Sequence, residues 1–184
     1  MVANLEATID DLYALPSEQK AEIVDGEIVL MSPTGAAPSY AAAEIFASLR
    51  EFARRTKNGL PVTDNAAFRV DLPNRKSFSP DAAFYLGKWT GMKFFEGAPV
   101  FAVEVRSEGD YGPRAERAIA RKRGDYFAAG TLVVWDVDLL GEDIVRSYAS
   151  NDPDTATIYR RGDVATAQAA IPGWSIKVSD LFVE

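Results

Sequence analysis

The chain has 184 residues, 27 acids against 20 lysines and arginines, a formal net charge of −7, and neither histidine nor cysteine. These totals exclude Ser-His-Asp hydrolysis, HExxH metalloproteases, thiolate metal sites, cysteine nucleophiles and disulfides. Any acid–base or metal chemistry must use Asp, Glu, Lys, Arg or Tyr, and any bound metal should be hard and oxygen-seeking, such as magnesium or manganese.

With 47% hydrophobic and 26% charged residues, the chain reads as one globular domain over 1–184. No apolar stretch approaches the ~18 residues of a membrane span. The acidic N-terminal stretch lacks the basic and apolar blocks of a secretory leader, and the absence of cysteine fits a cytoplasmic, reducing compartment. The net charge argues against a uniformly phosphate-binding surface, but the charge is uneven. Arg50, Arg54, Arg55 and Lys57 form one basic cluster; Arg114, Arg117, Arg121, Lys122 and Arg123 form another.

In chain order, Thr8 can cap a short helix, IDDLYAL, which Pro16 stops. Two β-rich runs then flank Asp25-Gly26, the signature of a two-residue hairpin. SPTGAAPS reads as a loop, and YAAAEIFASLREFARRTK as a long helix ended by Asn58-Gly59. PVTDNAAFRVDL, DAAFYL and VFAVEVRS follow as strands. Pro113 suits the first turn of a second long helix, RAERAIARKRGDYFAA, which Gly130 ends. TLVVWDVD is the next strand, DIVRSYAS and TATIYRR form a late hairpin, and VSDLF closes the chain. This order predicts an α/β fold: a mixed sheet flanked by helices, with N-terminal and C-terminal β-hairpins. The helix between VFAVEVRS and TLVVWDVD should be a crossover between parallel strands covered on both faces.

Three charges stand where charges are costly. Glu104 interrupts an apolar strand near its C-terminal end, where ligand-binding groups gather in α/β folds. Taken alone, it could simply pair with Arg106 or Arg69. Asp81 follows a proline at the start of the preceding strand, where turn aspartates are common. Lys122 lies within the stripe Ala115, Ile119, Lys122, Tyr126 and Ala129, while Arg114, Arg117, Arg121 and Asp125 fall toward the other side. Its stem could cover apolar surface while the ammonium reaches water. Taken together, two carboxylates on neighbouring strands could share a divalent cation, and the lysine could orient water or balance charge on a phosphate. Metal-assisted phosphodiester hydrolysis requires no histidine.

VDGEIVLMSPTG, SPDAAFYL, PVFAVEVRSEGD and RKRGDYFAAGTLVVWDVD resemble, in order and spacing, the Uma-type family of putative restriction endonucleases, within the PD-(D/E)XK nuclease superfamily. The resemblance runs from about Ile9 to Tyr159. It implies a restriction-endonuclease-like fold, magnesium- or manganese-dependent cleavage of DNA, and often a homodimer. Asp81 and Glu104 match the two acids, which with the Val105 carbonyl would bind metal. The superfamily's usual lysine position holds Arg106, and the lysine matches Lys122 on the next helix, four residues before Tyr126. Glu27 in the hairpin, Glu44 on the first long helix, Arg106 and Tyr126 are accessory candidates, and Arg106 and the Arg50–Lys57 cluster could contact phosphates. The chain departs from the pattern by lacking a histidine after the MSP loop. A catalytically inactive module serving dimerisation or regulatory binding is the alternative, and a carbohydrate hydrolase with paired carboxylates a third reading that leaves Lys122 without a role.

Overall fold

The computed structural model describes residues 6–16 and 19–183. Its elements are α1 (Ile9–Tyr13), β1 (Lys20–Val24), β2 (Glu27–Met31), α2 (Ala36–Thr56), β3 (Leu60–Thr63), β4 (Phe68–Arg69), β5 (Ser77–Phe78), β6 (Ala82–Tyr85), β7 (Phe95–Glu96) and β8 (Phe101–Val105). There follow α3 (Pro113–Ala128), β9 (Val133–Val137), β10 (Val145–Ala149), β11 (Asp152–Tyr159), β12 (Val164–Thr166), β13 (Ser175–Lys177) and a 3-10 turn, Val178–Leu181. Among the described residues no helix is long and apolar enough to cross a membrane.

A six-stranded mixed sheet in the order β11-β10-β9-β8-β6-β3 organises the molecule. Its β8 and β9 are parallel, with α3 as the expected crossover, and its other neighbours are antiparallel. Strand alternation assigns the two faces. Phe101, Val103 and Val105 of β8 pack with Ile45 and Leu49 of α2 and with Trp135 and Trp174. Ala102 of β8 and Val134 of β9 lie on the other face, with Tyr126 of α3 and with Phe68 and Phe78 from the small sheet β5-β4-β7. Both faces of the central strands are therefore covered, as their largely apolar runs predicted.

The N-terminal hairpin turns at Asp25 (φ 52°) and Gly26 (φ 75°), the left-handed pair of a two-residue turn. The Asp11 carboxylate accepts both the backbone N–H and the hydroxyl of Thr8, each at 2.7 Å, pinning the start of α1.

Two sequence expectations need correction, and one hairpin is an addition to them. Helix α2 begins at Ala36 rather than Tyr40. Pro38 falls in its first turn, where N–H groups lack intrahelical partners anyway, and the Ser39 N–H is bonded back to Gly35 at 3.1 Å. The expected strand over PVTDNAAFRVDL is two strands, β3 and β4, because Asn65 turns left-handed (φ 64°) and its N–H bonds to the Asp64 carboxylate. The hairpin β12-β13 was not foreseen; its short strands give too little alternation to read.

Candidate active site

The register of the large sheet sets four acids in a row. Thr63 pairs with Ala82, Ala82 with Val103, and Glu104 with Asp136. One step further along the strands, Asp64, Asp81, Glu104 and Asp136 stand side by side at one end of β3, β6, β8 and β9. Alternation turns all four toward the α3 face, since Val62, Ala83, Ala102 and Val134 belong to that core. Asp81 is fixed through both backbone and side chain: its N–H donates to Val103 O at 3.0 Å and its Oδ2 accepts the Val105 N–H at 2.8 Å.

Helix α3 and the β1-β2 hairpin bring the counter-charges. Lys122 Nζ lies 2.8 Å from Glu104 Oε2 and 3.0 Å from Glu22 Oε1. The Tyr126 hydroxyl donates to Glu104 Oε1 at 2.6 Å. Glu22, from the middle of β1, is almost wholly buried; it also accepts the Ser79 N–H at 2.8 Å and Arg75 Nη1 at 2.5 Å. Arg75 continues to Asp125 at 2.8 Å and lies over the Phe78 ring, which stacks on Tyr126 with centroids 4.0 Å apart. This layered stack holds the tyrosine hydroxyl on Glu104. Lys20, two residues before Glu22 on the same strand face, reaches Asp64 Oδ1 at 2.5 Å and Asp81 Oδ1 at 3.3 Å.

The charges do not cancel. With every group ionised, Glu22, Asp64, Asp81, Glu104 and Asp125 supply five carboxylates against the three cations Lys20, Arg75 and Lys122, an excess of two negative charges. The excess registers at Glu104. Burial pushes its carboxyl up to about 7; Lys122 opposes this, while the charges of Asp81 and Glu22 add to it. Burial also pushes Glu22 upward, but Lys122, Arg75 and the Ser79 N–H together hold it below its ordinary value. Burial disfavours the Lys122 ammonium, yet Glu104 and Glu22 keep its pKa above that of a free lysine, so it stays protonated.

A divalent cation fits this donor set. The oxygens are hard, two carboxylates from adjacent strands share one level, and the missing charge is that of one such ion. Among the described residues no group of three or more acids forms a ready-made metal cage.

The expected residues Asp81, Glu104, Val105, Lys122 and Tyr126 thus come together, and three accessory candidates do not. Arg106 lies on the same sheet face but is buried away from Glu104; its Nε and Nη2 each reach Asp136 at 2.7 Å, and its outer edge grips Glu116. It cannot serve as a free phosphate contact because its guanidinium is already engaged on both sides. Glu27 is exposed on β2, opposite Val24 in the hairpin. Glu44, Arg50, Arg54 and Arg55 belong to α2, and Lys57 caps its C-terminal end; α2 packs on the opposite sheet face. Asp125, expected on the solvent side of α3, is buried, because Arg75 and Asn74 reach it from the loop before β5. Glu22 was missed, although AEIV carries the signal used for Glu104: a lone acid between buried apolar neighbours. Lys20, Asp64 and Arg75 carry no local signal, since only the assembled sheet brings them to the cluster.

The sequence model of one family, Uma2, described as a putative restriction endonuclease, matches residues 9–180. The chain belongs to the Uma2 family. No protein in the curated comparison matches it. Among solved structures it is similar to one described as a putative nuclease belonging to DUF820 from Anabaena variabilis ATCC 29413, at 16% identity, covering 96% of this chain and 97% of that one, with a TM-score of 0.74. At that identity the likeness concerns the fold: a mixed sheet flanked by helices. Within this Uma2 chain, the row of acids and the α3 lysine occupy the sheet end on which the two motif acids converge.

Proposed function

We propose that this Uma2 chain is a divalent-metal-dependent endonuclease that hydrolyses phosphodiester bonds of DNA. The observation that carries the reading is the under-neutralised pair Asp81 and Glu104, held at one level on adjacent strands with the Lys122 ammonium against Glu104. Asp81 and Glu104, with the Val105 carbonyl, would hold magnesium or manganese. Such an ion supplies polarisation of the phosphoryl group and acidification of a water.

The remaining work falls to the chain. Lys122 stays charged and therefore acts as a donor toward negative charge developing on the phosphate, not as a general base. Glu22 and Glu104 fix its position from two sides, and Tyr126 fixes Glu104. Arg114 and Arg117 are exposed on α3, the helix that carries Lys122, and offer phosphate contacts there. Pairing of two copies would allow both strands to be cut.

Plasmid cleavage in Mn²⁺, with and without chelator, tests the reading. Wild-type protein should cut only with metal, and Asp81→Ala and Lys122→Ala should not cut. Absence of cleavage under any metal, or normal cleavage by both variants, refutes it. One observation favours the inactive module: all four oxygens of Asp81 and Glu104 already accept protein donors. On that reading Asp81→Ala alters stability, and nucleic acid stays intact throughout.

A further inference from the structure

The ammonium of Lys20 stands where positive charge is missing. It lies between Asp64 and Asp81, at 2.5 and 3.3 Å, and it also feels the charge of Glu104. No element of the large sheet carries it; it enters from the first residue of β1, whose next three residues are buried and anchor the strand. Its two contacts are unequal. The firm one is to Asp64, whose side chain is 43% exposed, and the long one is to Asp81 at 21%. A lysine is a point charge on a flexible four-carbon stem, so it can release one carboxylate without leaving the other. Lys122, by contrast, is held by two acids at 2.8 and 3.0 Å.

The geometry points to Lys20 as a displaceable internal counter-ion: its ammonium holds the cation position beside Asp81 in the metal-free protein, and withdraws onto Asp64 when a divalent cation binds. This rests on the proposed metal site, and deepens it by naming what the metal must displace and where the displaced charge goes. In the metal-free protein Lys20 would keep Asp81 and Glu104 from repelling each other. It would also set an affinity threshold, because the metal must compete with it. Asp64 would be a parking residue, acting on the metal through Lys20.

The test is Mn²⁺ affinity without nucleic acid, measured from the electron paramagnetic resonance signal of the free ion, for wild type, Lys20→Met, Asp64→Asn and the double variant. Lys20→Met should bind Mn²⁺ roughly tenfold more tightly, within the range of ordinary site–site coupling. Asp64→Asn should bind more weakly, since Lys20 then has only Asp81 to hold, and most of that loss should vanish in the Lys20→Met background. Circular dichroism melts supply an independent readout: metal-free Lys20→Met should melt below wild type, and Mn²⁺ should raise its melting temperature by more. If Lys20→Met does not fold, Lys20→Gln takes its place. Unchanged or weaker Mn²⁺ binding by a folded Lys20 variant, with wild type binding normally, overturns this inference and leaves the metal site standing. Failure of wild type and all variants to bind Mn²⁺ overturns the metal site, and this inference with it.

Discussion

Glu104 and Asp136 face each other in register on neighbouring parallel strands, point to the same side, and each meets a cation, yet the two pairs differ in kind. Arg106 grips Asp136 through two parallel bonds at 2.7 Å, and the carboxylate is 3% exposed. That is a closed fork in which each oxygen has a matched donor. Glu104 instead meets a lysine shared with Glu22 and a tyrosine hydroxyl, and a quarter of its side chain remains exposed. The closed pair braces the crossover by tying β8 and β9 to Glu116 on α3. The open pair leaves an acid short of positive charge at the sheet end. An acid within an apolar strand is thus not in itself a functional mark; what matters is whether its partner neutralises it completely.

Four experiments would break or sharpen that contrast. Arg106→Met leaves Asp136 buried beside little more than Arg146, whose Nη1 lies 3.9 Å away, and should cost about 3–5 kcal/mol in urea unfolding. Arg106→Lys should restore only part of this, because an ammonium cannot reproduce the fork. An unchanged urea midpoint would show that the pair is no brace.

Lys122→Met should act mainly on chemistry. Cleavage in Mn²⁺ should fall about 10²–10³-fold, the usual cost of removing a charged donor aimed at the reacting group. Its urea midpoint should move less than that of Arg106→Met, because Glu22 keeps Arg75 and the Ser79 N–H. If stability collapses and the residual folded fraction cuts at the wild-type rate, the two pairs are alike after all.

The third experiment is a pH titration of the metal-free protein. The Glu104 carboxyl is raised from 4.5 to about 7, so between those values the folded state binds more protons than the unfolded chain. Its contribution to stability is therefore complete below about 4.5 and is lost as pH rises through 7. Glu104→Gln should remove that decline, and a urea-midpoint series over this range will show whether the two proteins diverge. A parallel dependence in both would place the open site's charge deficit elsewhere.

The smallest effect is expected for Tyr126→Phe, which removes the 2.6 Å bond to Glu104 but keeps the ring stacked on Phe78. Urea unfolding should register a loss of about 1–2 kcal/mol. Carbon-detected NMR of the Glu104 carboxyl should show its titration moving upward, since a donor to the charged form has gone.

The candidate site was legible in the sequence where each residue broke a local rule. Glu104 interrupts an apolar strand, and Lys122 interrupts a helical stripe in which Tyr126 is buried. Asp81 gained weight from its place before the strand that pairs with β8. Arg106 misled because alternation places it correctly on the Glu104 face but says nothing of Asp136 and Glu116 waiting there. Glu27 and Glu22 share one hairpin; the family-like DGE stretch drew attention to the exposed residue, whereas the buried one makes the contacts. Asp125 misled because a helical wheel knows nothing of the loop that carries Arg75.

The sequence by itself determined the order of the long helices and of the main strands β6, β8 and β9, the two-residue turn at Asp25-Gly26, the parallel pair around α3, and the inward lysine. These depend on periodicities of about 2 and 3.6 residues and on turn chemistry, all of which act over a few neighbours. Only the tertiary structure decided which charges meet: Lys20 with Asp81, Glu22 with Lys122, Arg75 with Asp125. Those partners lie far apart along the chain and are joined by sheet register and helix docking. A charge's partner is a property of distance in space, and in this fold it separates the sealed brace at Asp136 from the open acid at Glu104.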